Sequence, residues 1–144
     1  MTFALDCSVA MTWFFEHDAS SETDELLETL AGTDAAVVPQ HWLLEVTNVL
    51  LAAESSRKKK AAESAEFLAL LGKLAIESDA ETGHYAGTAT IALARKHKLT
   101  SYDAAYLELA MRRGVALATL DKNLRKAAVM EGVPVLPMGP FTAT

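Results

Sequence analysis

The chain has 144 residues, 51 % of them apolar and 22 % charged, which describes an ordinary globular domain large enough to bury a core without disulfides or structural metal. One cysteine, Cys7, excludes an intrachain disulfide and suits a reducing cytoplasm, and no basic segment leads into an apolar stretch as a secretory signal requires. Apolar runs such as residues 49–53 fall far short of the ~20 residues of a membrane span. The net charge of −6 argues against a broadly basic nucleic-acid surface. It leaves three options: no contact with nucleic acid, an acidic pocket neutralised by metal, or a basic partner protein.

In chain order, residues 2–5 read as a short buried strand that stops at Asp6. Ser8 can cap the helix that follows, expected through Trp13 and Phe15 to about residue 16. A second helix is predicted over 20–30, with Ser21 near its start and Gly32 just past its end. Residues 35–38 form the second strand, closed by Pro39. Helix 41–54 places Trp42, Val46, Val49 and Ala53 on one stripe, and helix 57–74 stacks Ala61, Ala65, Leu68 and Leu71. Residues 75–77 read as a third strand and 81–97 as a long helix, with a break at Leu99 and Thr100. Residues 102–113 are helical up to Gly114, a residue typical of the position after a helix. Strand 115–118, helix 122–130 and strand 133–136 complete the pattern before Pro137, Gly139 and Pro140 stop regular structure.

Strands separated by helices imply βαβ units, right-handed crossovers and a parallel sheet covered on both faces. No linker or repeat divides the sequence. The expectation is one α/β domain over residues 1–144, with a core at about 2–137 and a short C-terminal tail.

Four acids stand out. Asp6, Asp103 and Asp121 lie where apolar runs give way to helices, and in an α/β fold such strand ends share the edge where ligands bind. Each also has a plain reading as a helix N-cap; their coincidence is what suggests a site. Glu45 lies at the margin of its helix's buried stripe, where a carboxylate needs water, a donor or a cation, and Asn48 shares that margin, in position to hydrogen-bond or orient it. Gathered carboxylates repel unless a cation joins them, and an all-oxygen donor set selects Mg²⁺ or Mn²⁺ over Zn²⁺. Metal beside phosphate suggests a nuclease.

The surrounding residues are less distinctive. Ser8 and Thr119 each sit two positions from an acid, within reach of a carboxylate or a solvent molecule held by one. Lys122, Arg125 and Lys126 follow Asp121 and can meet substrate phosphates. The run 57–60 reads as a solvated helix start, and Arg112 and Arg113 as favourable charges at a helix C-terminus. Trp13, Phe14 and Phe15 read as core, and Cys7 as a small buried hydrophobe. His17, His41, His84 and His97 show no zinc spacing, although His41 and Glu45 are i, i+4 neighbours. No P-loop, GxGxxG or GxSxG motif occurs.

With those residues named, residues 3–137 resemble a PIN-domain ribonuclease of the VapC toxin type. Leu5-Asp6-Cys7-Ser8-Val9 with Trp13 is similar to the family's first acidic motif, Glu45-Val46-Thr47-Asn48-Val49-Leu50 to the second, Leu99 to Leu107 to the third, and Leu117 to Leu124 to the fourth. Cys7 departs from the small non-thiol residue expected there. The resemblance implies Asp6, Glu45, Asp103 and Asp121 as metal-binding and catalytic carboxylates. It also implies Mg²⁺-dependent cleavage of RNA (Mn²⁺ as substitute), a homodimer and a cognate VapB-type antitoxin as partner; the composition adds the expectation of a cytoplasmic location without membrane attachment.

Two other classes compete. A phosphoacceptor receiver domain also gathers acids at strand ends, but it needs an acidic pair after the first strand, where Cys7 follows Asp6. A PIN-like fold kept as a dimeric binding module would explain the acidic charge without catalysis.

Overall fold

The computed structural model describes residues 1–138. Five parallel strands, β1 (Thr2–Leu5), β2 (Ala35–Val38), β3 (Ile76–Ser78), β4 (Ala116–Ala118) and β5 (Val135–Leu136), form one sheet in the order β3-β2-β1-β4-β5. Phe3, Ala4 and Leu5 are fully buried in succession, because a central parallel strand is covered on both faces and shows no polar alternation. β1 pairs Phe3 with Ala36 on one side and with Ala116 on the other. The chain runs outward through β2 and β3, then returns to the opposite flank of β1 with β4 and β5. The crevice beyond the ends of β1 and β4 is therefore the topological switch point, where α/β sheets bind ligands. This order differs from the 2-1-3-4-5 order of receiver domains and removes that alternative.

The helices are α1 (Cys7–Thr12), α2 (Ser21–Ala31), α3 (Trp42–Ser55), α4 (Ala61–Lys73), α5 (Thr82–Tyr85), α6 (Ile91–His97), α7 (Ser101–Arg113) and α8 (Lys122–Met130). Within α7, residues 104–110 are all buried, so this helix lies inside the domain rather than on its surface. Its far end is clamped by charge. Arg112 reaches Asp79 just past β3 at 2.6 Å and Glu108 at 2.7 Å, and Arg113 reaches Asp79 at 3.1 Å. The two arginines thus anchor α7 to the sheet, a role beyond the helix-end electrostatics expected of them.

Several boundaries differ from expectation for identifiable reasons. The first helix ends at Thr12, four residues early, and a 3₁₀ turn covers Glu16–Asp18. Trp13 donates to the Thr23 carbonyl at 2.8 Å and Phe14 packs on Phe67 with ring centroids 5.0 Å apart, so the aromatic run is core as expected but leaves the helix to reach those partners. The basic run 57–60 does not open a helix: Arg57 has φ 61°, and α4 begins only at Ala61, since cations oppose the positive helix N-terminus and one another. The buried face of α4 is Ser64, Phe67 and Leu71, with Ala61 and Ala65 exposed. The long helix expected over 81–97 contains a π-helical stretch, Ala86–Thr90, between α5 and α6. β5 starts two residues late because Val133 is held by its N–H to the Ala128 carbonyl at 2.8 Å after the turn at Gly132, φ 76°. Of the expected stop signals, Gly139 and Pro140 lie outside the described residues. No helix among the described residues is long and apolar enough to cross a membrane.

Candidate functional site

Asp6 leaves β1 with its N–H bonded to the Ala118 carbonyl of β4 at 2.9 Å, which fixes it at the switch point. It occupies the N-cap position of α1 in extended conformation, yet its side chain caps nothing. Ser8 is not a cap either. Its hydroxyl donates to Asp6 Oδ2 at 2.6 Å, and the Thr119 hydroxyl donates to the same oxygen at 2.7 Å. Asp6 is only 5 % exposed, but its Oδ1 has no hydrogen-bond partner in the protein and is not sealed from solvent. A buried carboxylate with one oxygen tied and one left open is arranged to receive something from outside.

Thr119 and Ser8 also set the position of the fourth acid. Leu120 N–H donates to Ser8 Oγ at 3.0 Å and Asp121 N–H to Thr119 Oγ1 at 3.1 Å, so the ends of β1 and β4 are bound together through two hydroxyls. Asp121 is exposed and caps α8, accepting from Leu124 N–H at 2.8 Å through Oδ1. Here the plain capping reading is correct, and it leaves Oδ2 available. Asp103 lies in the first turn of α7, where Thr100 is the cap and accepts its N–H at 3.1 Å. That turn follows α6 through a loop, so Asp103 sits at a helix–helix junction and not after a strand as expected.

Glu45, in the first turn of α3, accepts from Tyr106 Oη at 2.5 Å and lies 3.4 Å from His41 Nε2. His41 in turn lies 3.2 Å from the Tyr102 carbonyl. The N-terminal turns of α3 and α7 are thereby joined, and Glu45 comes near enough to Asp6 for its charge to act on that carboxyl. Asn48 is exposed on the same face and makes no hydrogen bond to Glu45; Tyr106 and His41 take the orienting role expected of it.

Electrostatics links the acids. Burial raises the Asp6 carboxyl above the usual carboxylate range against the two hydroxyl bonds, and the charges of Glu45 and Asp121 push it further. Asp103 is raised by burial and then by Asp6 and Asp121, with His41 and Thr100 opposing. No lysine or arginine among the described residues pairs with Asp6, Asp103 or Asp121. The edge therefore holds negative charge that His41 alone offsets among the described residues.

A scan of the sequence against protein-family models matches the PIN domain over residues 3–130. The chain belongs to the PIN domain family. PIN domains are typically nucleases that use divalent metal ions, and the five-stranded parallel sheet agrees with that fold. Among solved structures, PAE2754 from Pyrobaculum aerophilum superposes with TM-score 0.65 at 18 % identity, covering 94 % of this chain and 90 % of that one. VapBC2 from Rickettsia felis, bound to a DNA fragment from their promoter, gives 0.64 at 20 % identity with 94 % and 97 % covered. A toxin–antitoxin complex from Klebsiella pneumoniae gives 0.52 at 19 % identity with 83 % and 86 % covered. No curated protein matches the sequence.

Within this PIN fold the donor set suits a hard divalent cation: four carboxylates, none paired with a described lysine or arginine, and open oxygens on Asp6 and Asp121. The cage is not preassembled, however. Among the described residues, no three histidine, cysteine, aspartate or glutamate side chains converge closely enough to hold a metal ion as they stand. The tight cluster expected from the sequence is thus reduced to a shared edge. The cause is visible in the partners: Glu45 turns to Tyr106 and His41, and Asp121 turns to its own helix.

Three residues around the site read differently in three dimensions. Tyr106, fully buried, lies within the third motif but is not singled out by the sequence; its i+3 spacing from Asp103 was the available signal. Burial first, then the Asp6 charge and the Glu45 bond, raise its pKa, so it remains a phenol donor. Cys7 is buried as expected, and burial with the Asp6 and Glu45 charges lifts its thiol to about 12, leaving it neutral and unreactive. Arg125 donates to the carbonyls of Thr119, Leu136 and Pro137 at 2.8, 3.2 and 2.7 Å. It braces α8 against the ends of β4 and β5, so its guanidinium is engaged with backbone where a phosphate contact was expected.

Proposed function

We propose that this protein is a metal-dependent endoribonuclease that acts as the toxin of a toxin–antitoxin pair. The observation that carries the reading is the set Asp6, Glu45, Asp103 and Asp121 near the switch point of a PIN sheet, mutually repelling, unpaired with lysine or arginine, and with open oxygens on Asp6 and Asp121. Mg²⁺, or Mn²⁺ in its place, would be held by these four carboxylates, with Asp6 Oδ1 the best-prepared donor. When bound, such an ion polarises the scissile phosphate and activates an attacking water.

The chain's own residues do the rest. Ser8 and Thr119 fix the Asp6 carboxylate, and Thr119 also fixes the backbone of Asp121. Tyr106 holds Glu45 until an ion competes for it. Lys122 and Lys126, exposed on α8 beyond Asp121, would meet RNA phosphates. The VapBC and toxin–antitoxin assemblies that share the fold support a VapB-type antitoxin as partner. A basic antitoxin segment would complement the acidic edge and the net charge of −6. A homodimer working in the cytoplasm completes the proposal.

The test is cleavage of RNA by the purified chain, freed of any antitoxin, as Mg²⁺ or Mn²⁺ is titrated. Cleavage that requires the ion and disappears in Asp6→Asn with circular dichroism unchanged is the expected result. Failure to bind either ion overturns the reading. The unassembled acidic set favours one rival, a binding module without activity; a Mn²⁺ binding isotherm without any RNA cleavage would select it.

A further inference from the structure

An overall charge of −6 offers RNA no long-range attraction, so a strand reaching the acidic edge needs a local basic track. The thirteen lysines and arginines can be sorted by what they already touch. Arg112 and Arg113 are committed to Asp79 and Glu108, and Arg125 to backbone carbonyls. Residues 57–60 lie beyond the end of α3, a 14-residue helix that starts at the site, and therefore about 20 Å away. Lys73 stands alone at the end of α4. What remains is Arg95, Lys98 and, paired with Glu131, Lys96 at the end of α6 and in its loop, with Lys122 and Lys126 on α8.

Three of these five share a groove of about 320 Å³ between the α6 terminus and α8, lined by Lys96, His97, Lys98, Asn123 and Lys126. The groove wall is braced. Glu131, which ends α8, holds Lys96 at 2.7 Å and His97 at 2.6 Å. Lys98 adopts φ 55°, a conformation uncommon outside glycine, and closes α6 as it turns toward α7 and Asp103. Lys98 and Lys126 are exposed and form no ion pair with any described residue. Lys126 follows Asp121 by five residues, about 7.5 Å along the helix.

We infer that this groove binds the phosphodiester backbone of the RNA strand flanking the scissile bond, with Lys98 and Lys126 each contacting a phosphate. The inference rests on the nuclease reading above and deepens it. The Lys96–Glu131–His97 contacts keep the wall in place; the two unpaired lysines supply the charge.

The test is fluorescence anisotropy with a labelled oligoribonucleotide over a range of salt concentrations in EDTA, using the Asp6→Asn chain so that the strand stays intact. Adding Lys98→Ala and Lys126→Ala should weaken binding roughly tenfold near 0.1 M salt and flatten the log–log salt slope by about 1.4, at ~0.7 per single-strand phosphate contact. Lys58→Ala, on the α3–α4 turn, should change neither quantity. Unchanged affinity and slope in the lysine variant overturn the groove, as does binding of a polyglutamate peptide in preference to RNA. Cleavage is scored separately with the Asp6 chain and Mg²⁺. Groove-dependent binding without any cleavage supports the groove and overturns the nuclease reading, whereas cleavage with groove-independent binding does the reverse.

Discussion

Asp6→Asn should abolish cleavage and also make the metal-free fold more stable. The sign follows from the structure: burial raises the Asp6 carboxyl, so its ionised form is disfavoured in the folded state even after the Ser8 and Thr119 hydroxyls have acted. Asparagine keeps the shape, and its amide oxygen can accept both hydroxyls. Exchanging two charge-assisted bonds for neutral ones costs about 1–2 kcal/mol in total. Removing a buried, unpaired anion returns several kcal/mol, for a net gain of about 1–3 kcal/mol. At about 2–4 °C per kcal/mol for a domain of this size, Tm should rise by roughly 2–12 °C at pH 7 in EDTA. Because the folded-state pKa lies above the unfolded one, the penalty is present at neutral pH and fades as pH falls through the folded value, so the two melting curves should converge toward pH 4. Mg²⁺ at about 100 times its Kd should stabilise the Asp6 chain by about 2.7 kcal/mol and the asparagine variant far less. A variant that melts at or below the parent in EDTA at pH 7 would refute the argument that the acidic edge is strained without a cation.

The other predictions concern the supports. Arg112→Ala strands Asp79, 1 % exposed, and Glu108, 5 % exposed, and should cost about 3–5 kcal/mol by urea denaturation; a loss under 1 kcal/mol would mean the clamp is idle. Since Arg112 holds the Asp79 carboxyl below the usual carboxylate range, that stability is present above the unfolded pKa and lost as pH falls through the folded one, so the two chains should approach each other in stability only in strong acid. Thr119→Val removes one donor to Asp6 and the acceptor of Asp121 N–H; about 1–2 kcal/mol of stability and 10–100-fold of metal affinity should go, read by melting and Mn²⁺ titration. Tyr106→Phe frees Glu45 at a cost of about 1 kcal/mol, and should alter the Mg²⁺ concentration needed for half-maximal cleavage; an unchanged requirement would assign Tyr106 to packing alone.

Much of the molecule was legible in the chain because its signals are local. A strand that stops at Asp6, a second closed by Pro39 and a helix ended by Gly114 are each encoded within a few residues, and β2, α8 and the α7 terminus were placed to within a residue. The four acids and the two hydroxyl residues beside them were likewise visible as neighbours in sequence. Misreadings arose where a partner came from elsewhere. The aromatic run left its helix for Thr23 and Phe67, and the arginines ending α7 belonged to Asp79, 33 and 34 residues away.

Local pattern, in short range, determined which segments become strands and helices and which acids end up near one sheet edge, because periodicity and capping act over single turns. Only the tertiary structure decided how those acids are held: Thr119 on Asp6 from 113 residues away, Tyr106 on Glu45 from 61, and Arg125 turned to backbone. Hydrogen-bond geometry and desolvation depend on what burial brings into contact, and no spacing along the chain specifies that.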